Sequence, residues 1–194
     1  TGIGARDART ARLPHLGADD NASGTAALLE LARRLASAPV RRSILLVHFG
    51  AEELGLLGST AFLTDPPVPV RAMVAMINLD MVGRLGGKRL TVFGTATSPA
   101  WSTQLDAAAR EAEVRLDPSA DLGVRGTGSD HIEFARLGLP SLHLFTGVHE
   151  AYHTKDDTPA KVDYDGLVRV VVFTESLVRA LGDAPVALPR SATP

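Results

Sequence analysis

Four short, mainly apolar runs constrain the fold of this chain more than any other feature of its sequence. A continuous apolar run is typical of a strand that is buried on both faces of a sheet. Segments with apolar residues at helical spacing lie between these runs. The pattern therefore predicts an α/β domain with a mainly parallel, mixed central sheet flanked by helices. The predicted strands lie within 42–49, 72–83, 89–94 and 140–146.

The segments between the strands carry the helical pattern. Predicted helices begin at Asn21, lie within 55–63, 101–114 and 129–138, and run from Tyr164 to Gly182. The stretches 1–20 and 117–128 lack periodicity and are predicted as loops. A length of 194 residues favours a single domain over 1–194, with 184–194 as a flexible tail.

Composition excludes several classes of partner and site. The net charge is −2 and the pI is about 6.3, so no nucleic-acid partner is predicted. No apolar run reaches the length of a membrane span, so no membrane-spanning segment is predicted. The chain has no cysteine, which leaves His, Asp and Glu as the ligands for any metal.

Acids and histidines follow the predicted strands. Glu52 and Glu53 come after the first strand, Asp80 ends the second, and His149 and His153 follow the fourth. A parallel sheet gathers the carboxyl ends of its strands at one edge, so these side chains are expected to converge. Convergent carboxylates repel each other unless a cation lies between them, and zinc accepts a set of Asp, Glu and His ligands.

Each of these residues also has an ordinary structural explanation. Asp19, Asp20 and Asn21 precede a predicted helix and could simply cap it. The adjacent glutamates could sit in the first turn of a helix, where its dipole favours acids, and Asp80 could stabilise a turn. The metal hypothesis gains from their combination, because the sheet would bring all of them to one place.

The segment HEAYH, residues 149–153, matches a zinc motif that functions only on a helix. Here it follows a strand and Gly147, and it precedes the turn-rich segment TKDDTP. No amphipathic helix surrounds it, so His149 is expected to be a neighbour of the site rather than a ligand. Asp156 and Asp157 are expected to be turn residues that support the loop of His153.

Five stretches together resemble the co-catalytic zinc aminopeptidases of the bacterial leucyl aminopeptidase type, a superfamily that also includes glutaminyl cyclases. They are GADDNASG, FGAEELGLLGS, INLDMVG, SDHIEFARLGLPSLHL and YHTKDDTPAKVD, in that order over most of 17–163. The resemblance implies a three-layer zinc-exopeptidase-like fold. It also implies hydrolysis of the N-terminal bond of peptide substrates that carry a free N-terminus.

The resemblance implies metal ligands at the matching positions. Asp20 would bridge two zinc ions, Glu53 and His153 would complete the site of one ion, and Asp80 would bind the other. Relatives carry an upstream H-x-D segment whose His completes the second site. The first histidine here, His15, is not followed by x-Asp. We therefore expect the chain to start downstream of that segment, without the first strands, and with one complete zinc site.

The resemblance also implies the catalytic groups. Glu52 matches the general base, and Tyr152 matches a tyrosine that can donate a hydrogen bond to the developing oxyanion. A cyclase-type zinc acyltransferase and a catalytically impaired metal-binding domain are the alternatives. Ser129 and Asp130 open a predicted helix near the site, where capping explains them as well as substrate contact does. Many relatives are exported, so the resemblance favours a periplasmic or secreted location over a cytoplasmic one, and the sequence leaves the compartment open.

Overall fold

The computed structural model describes residues 2–3, 13–119, 121 and 128–191. The strands are β1 (Gly2–Ile3), β2 (Pro14–His15), β3 (Met76–Leu79), β4 (Leu90–Phe93), β5 (Leu116–Pro118) and β6 (Ser141–Phe145). The helices are α1 (Gly24–Ser37), α2 (Leu57–Thr64), α3 (Trp101–Glu111), α4 (His131–Arg136) and α5 (Tyr164–Asp183). A wide helical turn, Ala18–Ser23, leads into α1, and a 3-10 turn, Glu52–Leu54, carries the adjacent glutamates.

The central sheet has four strands in the order β3-β6-β4-β5. β3 pairs with β6 in parallel, with Met76 opposite Ser141, and β4 pairs with β5 in parallel. β4 and β6 are antiparallel, with Val92 opposite Leu144. The prediction of a mixed, mainly parallel sheet flanked by helices is confirmed.

β6 is the strand around which the layers are built, and all five of its residues are buried. Side chains alternate between the two faces of a strand. Leu142 and Leu144 belong to the main apolar core, while the ring of His143 stacks on that of His131 in α4, with centroids 4.8 Å apart. A strand covered on both faces is mainly apolar, which explains the apolar character of this segment.

The other side of the core is a layer of α1, α3 and α5. α5 spans 20 residues and buries Val170, Phe173 and Leu177 at helical spacing, while Val168 is 54% exposed. The indole of Trp101 at the start of α3 is fully buried, and its Nε1 donates a hydrogen bond to Thr97 Oγ1 at 3.0 Å. The amphipathic pattern predicted these helices because burial of one face stabilises them.

The prediction of a first strand over 42–49 is wrong. The segment pairs with no other strand among the described residues, and Leu45 is 54% exposed. A cleft of about 810 Å³ lies beside it, lined by Val47, Phe49 and also by Met76 and Asn78 of β3. A strand requires a neighbouring backbone for its hydrogen bonds, and apolar sequence alone does not supply one.

Two loop predictions also need correction. β5 overlaps the start of the predicted loop 117–128, and the short β1–β2 pair lies within the predicted loop 1–20. In the predicted tail, Ser191 N donates a hydrogen bond to Thr97 O at 3.1 Å, and its flexibility stays a prediction. Within the described part of the chain, no helix is both long and apolar enough to cross a membrane.

Truncation of the core side of α5 should destabilise the fold far more than truncation of its outer side. For Phe173→Ala we expect a loss of about 3–5 kcal/mol in the free energy of unfolding, because a cavity replaces a fully buried ring. Val168→Ala on the exposed face is the matched control, with an expected change within about 0.5 kcal/mol. Urea denaturation followed by circular dichroism measures both, and equal losses would contradict the packing described here.

Candidate metal centre

The predicted site residues lie on four segments that meet at one edge of the sheet. Asp80 directly follows β3, and His153 lies in the loop that follows β6. Because β3 and β6 are parallel, both segments leave the sheet at the same edge. The turns that carry Asp20 and the pair Glu52–Glu53 complete the lining of the cleft.

Three of these residues form a compact group of donors. The ligand atoms of Asp20, Glu53 and His153 all lie within 4.8 Å of one another. His153 Nε2 is 2.9 Å from Asp20 Oδ2 and also contacts Glu53 Oε1. Among the described residues, Asp20, Glu53 and His153 are the set of possible metal ligands whose donor atoms lie this close together.

The donor set fits a zinc ion. His153 Nε2 is buried and makes no hydrogen bond of acceptable geometry within the described structure, although two carboxylate oxygens lie beside it. One imidazole nitrogen with two carboxylates is a set that zinc binds in proteins, with a further position left for water or substrate. A cation bound to all three would satisfy the nitrogen and compensate both negative charges.

The acids of the cleft have raised pKa values. Burial raises the pKa of Asp20 to about 6, and the charge of Glu53 adds to the shift. Burial raises the pKa of Asp80 to about 7. Burial followed by repulsion from Asp80 and Glu53 raises the pKa of Glu52 to about 8. Without a cation, Glu52 therefore retains its proton at neutral pH, Asp80 is partly protonated, and Asp20 is mostly ionised.

Asp80 lies outside the group of three but is held beside it in the cleft. Ser129 Oγ donates a hydrogen bond to Asp80 Oδ2 at 2.8 Å, and Asn78 Nδ2 donates to Ser129 Oγ at 2.8 Å. Asp80 Oδ1 is buried and has no hydrogen-bond partner in the described structure. Ser129 thus contacts the predicted ligand Asp80. The sequence had left helix capping and substrate contact open for this serine.

The amide of Asn78 also contacts a buried histidine, since its Nδ2 lies 3.1 Å from His143 Nδ1. Burial holds the pKa of His143 well below its ordinary value, so the ring is neutral and Nδ1 can accept this hydrogen bond. Both donor positions of the Asn78 amide are then used, and the Ser129 hydroxyl donates to Asp80.

The two predicted catalytic residues lie next to the group of donors. Glu52 lines the same cleft without belonging to the converging group, so the adjacent glutamates differ in placement. The ring of Tyr152 stacks on the imidazole of His153, with centroids 3.7 Å apart. Their roles as base and oxyanion donor stay predictions.

Two other histidines, His149 and His15, lie near the site without joining the group of three donors. Residues 149–153 form turns and no helix, and His149 Nε2 lies 3.1 Å from Asp19 Oδ2. His15 lines the cleft, and its Nε2 is buried without a hydrogen-bond partner in the described structure. The segment HEAYH therefore does not supply a helical pair of ligands.

Asp157, which was predicted to be a turn residue supporting the loop of His153, also binds the turn that carries Asp20. It is 1% exposed, and its Oδ2 accepts hydrogen bonds from the backbone N–H groups of Asp19 at 2.9 Å and Asp20 at 3.0 Å. Arg84 pairs with its other oxygen at 3.2 Å. The neighbouring Asp156 is exposed, and no signal in the sequence distinguishes the two acids.

The raised pKa values predict that the metal-free protein loses stability as the pH rises. The folded state binds protons more tightly than the unfolded state, in which Asp and Glu titrate near 3.8 and 4.5. The stabilising contribution of these acids is therefore complete below about pH 4 and lost progressively up to about pH 8. Urea denaturation in EDTA across this range measures the slope.

Zinc provides the control for this pH dependence. An ion that replaces the protons should abolish the loss of stability, because deprotonation then favours metal binding. A metal-free protein that becomes more stable between about pH 5 and pH 8 would contradict the electrostatic description of the cleft.

Several known proteins are similar to this chain in sequence or in fold. Aminopeptidase YwaD of Bacillus subtilis is 34% identical over 149 residues, covering 73% of this chain and 32% of the relative. BSAP, a zinc aminopeptidase from Bacillus subtilis, superposes with a TM-score of 0.77 at 28% identity, covering 89% of this chain and 44% of that chain. The glutaminyl cyclase of Bacteroides thetaiotaomicron superposes with a TM-score of 0.68 at 24% identity, covering 90% of this chain and 66% of that chain, which shows a shared fold.

This chain spans about a third of YwaD and less than half of BSAP. The match to a protein family extends over most of the sequence, because residues 4–177 match the sequence profile of peptidase family M28. The chain therefore belongs to peptidase family M28.

Proposed function

We propose that the protein containing this chain is a zinc-dependent aminopeptidase that hydrolyses the N-terminal bond of peptides with a free N-terminus. The observation that carries the proposal is the convergence of Asp20, Glu53 and His153 in a cleft that also holds Glu52. The names of the aminopeptidase relatives support the reaction class, and the donor set supports zinc.

Asp20, Glu53 and His153 would hold one zinc ion. Asp20 and Asp80 would hold a second ion, to which Asp80 Oδ1, without a hydrogen-bond partner among the described residues, would contribute a donor. Zinc in such a site polarises a carbonyl group and lowers the pKa of water. The carboxylates of the cleft also attract the positive α-amine of a substrate, which favours peptides with a free N-terminus.

Glu52 would act as the general base and then as the general acid. Its carboxylate accepts a proton from the attacking water and returns it to the nitrogen of the leaving amine. The hydroxyl of Tyr152, beside His153, would donate a hydrogen bond to the oxyanion that develops on the scissile carbonyl. The separate placement of Glu52 and Glu53 allows one residue to bind metal while the other moves protons.

The second candidate is a zinc acyltransferase of the glutaminyl cyclase type. Among the described residues, one group of three donors converges, which suits one zinc ion, and the shared fold includes a glutaminyl cyclase. The two reactions differ in their products. A peptidase releases the free N-terminal residue, whereas a cyclase closes an N-terminal glutamine and releases ammonia.

Glu52→Gln should reduce aminopeptidase activity by at least about 100-fold while zinc binding stays within about 3-fold of the wild type, because the amide cannot accept the proton. The assay uses aminoacyl arylamide substrates, with zinc content measured on the same samples. Glu111→Gln, on an exposed glutamate of α3, is the matched control. Retained activity in Glu52→Gln would reject the assignment of the base.

His153→Ala should weaken zinc binding by at least about 100-fold, because it removes one of three converging donors. His48→Ala replaces an exposed histidine that lines the same cleft, and we expect it to change the affinity by less than about 3-fold. Isothermal titration of the metal-free proteins with zinc gives both values. Equal affinities in the two variants would reject the proposed site.

A further inference from the structure

The turn that carries Asp20 is in direct contact with the segment 79–83 that carries Asp80. A side-chain carbon at Gly24 would overlap the carbonyl oxygen of Leu79, and one at Gly83 would lie 2.8 Å from Asp19 Oδ1. Glycine is needed at Gly24 because the two backbones approach so closely there, and at Gly83 because a side chain would press against the Asp19 carboxylate. The two predicted ligands therefore lie on segments that cannot move independently without breaking this contact.

Asn21 bonds the segment on both sides of Asp80. Its Nδ2 donates to the carbonyl oxygen of Leu79 at 2.9 Å, and its Oδ1 accepts from the backbone N–H of Met81 at 3.3 Å. Asn21 is also the residue that directly follows Asp20 in the chain. One side chain thus connects the backbone of one predicted ligand to the backbone on either side of the other.

Ser23 and Asp19 continue the same set of contacts. Ser23 Oγ accepts from the backbone N–H of Val82 at 3.1 Å and donates to the carbonyl oxygen of Asp19 at 2.7 Å. Asp19 Oδ1 accepts from the backbone N–H of Gly83 at 2.6 Å. The side chains of Asp19, Asn21 and Ser23 all bind the segment 79–83, whereas Asp20 lies with its carboxylate in the donor group.

The segment 79–83 needs such support because its backbone is strained. Met81 has φ of 56°, in the left-handed region that a residue with a side chain seldom adopts. Conformations of this kind cost on the order of 1–3 kcal/mol and persist only where surrounding contacts hold them. The position of Asp80 therefore depends on the contacts of its neighbours as well as on β3.

We propose that Asp19, Asn21 and Ser23 form a clamp, meaning these three side chains together, which sets the separation between the Asp20 and Asp80 carboxylates. The clamp residues are positioning residues, because they act on the two predicted ligands through hydrogen bonds to the backbone of the segment 79–83. With respect to the second ion, this inference rests on the proposed function. The clamp then determines whether two zinc ions can share Asp20.

An alternative explanation is that Asn21 only caps α1, since its Oδ1 also accepts from the backbone N–H of Gly24 at 3.0 Å. The two explanations differ in the use of Nδ2, which bonds Leu79 and contributes nothing to a cap. Asp caps a helix as well as Asn does. Asn21→Asp therefore keeps the cap but places an oxygen against the Leu79 carbonyl, which opens the clamp.

The first test is a titration of the purified full-length protein with zinc. In Asn21→Ala, Asn21→Asp and Ser23→Ala we expect the first ion to bind within about 3-fold of the wild type and the second about 10–100-fold more weakly. Thr174→Val, which removes a buried hydroxyl hydrogen bond in α5, is the control for a general loss of stability. It should leave the ratio of the two affinities unchanged.

The second test needs no metal. Hydrogen exchange at the amides of Met81, Val82 and Gly83 should be at least about 10-fold faster in the clamp variants than in Thr174→Val, because these amides donate to the clamp. Faster exchange together with selective loss of the second ion supports the proposal.

The remaining outcomes separate the clamp from the proposed function. The clamp would be overturned if the exchange rates and zinc affinities of the variants are unchanged, or if the affinity for both ions falls equally. It would also be overturned if Asn21→Asp has the exchange rates and affinities of the wild type. A wild-type protein that binds a single ion or lacks peptidase activity would count against the proposed function instead. The exchange rates at 81–83 would then decide about the clamp by themselves.

Discussion

The parallel pairing of β3 with β6 is the constraint on which the site depends. It directs the two chain segments that follow these strands to the same edge of the sheet, so that Asp80 and the loop of His153 become neighbours. β6 is buried on both faces, between α4 and the layer of α1, α3 and α5, and its position is therefore determined by the core. The candidate site thus derives part of its geometry from the apolar core, which extends to Leu79, the residue before Asp80.

Several acidic side chains lie close together at the same edge of the sheet, where their negative charges repel one another. Burial and mutual repulsion raise the pKa values of Asp20, Glu52 and Asp80, which shows that this arrangement opposes ionisation. Left-handed backbone at non-glycine residues occurs at Ala51 before Glu52, at Met81 after Asp80 and at His153 itself. Strain and like charge gathered at one place are typical of a functional site, and a bound cation would offset the repulsion.

Local patterns predicted much of the fold correctly. The helix predicted from Tyr164 to Gly182 extends to Asp183, because its apolar residues recur at helical spacing. The run 140–146 contains β6 for the same kind of reason. The equally apolar run 42–49 is not a strand, since its pairing partner is not specified by its own residues. Strand formation depends on a second segment, which one stretch of sequence cannot reveal.

Residue types and their order reveal the chemistry available to this chain, which lacks cysteine and carries acids and histidines at the ends of apolar runs, in the order of a zinc peptidase family. The role of each residue depends on the tertiary structure. Asp156 and Asp157 are adjacent and chemically identical, yet one is exposed and the other binds the turn of Asp20. Asn21 follows Asp20 directly, yet two of its partners lie 58 and 60 residues away. Residue type specifies which bonds a side chain can make, whereas long-range packing specifies which partners come within reach.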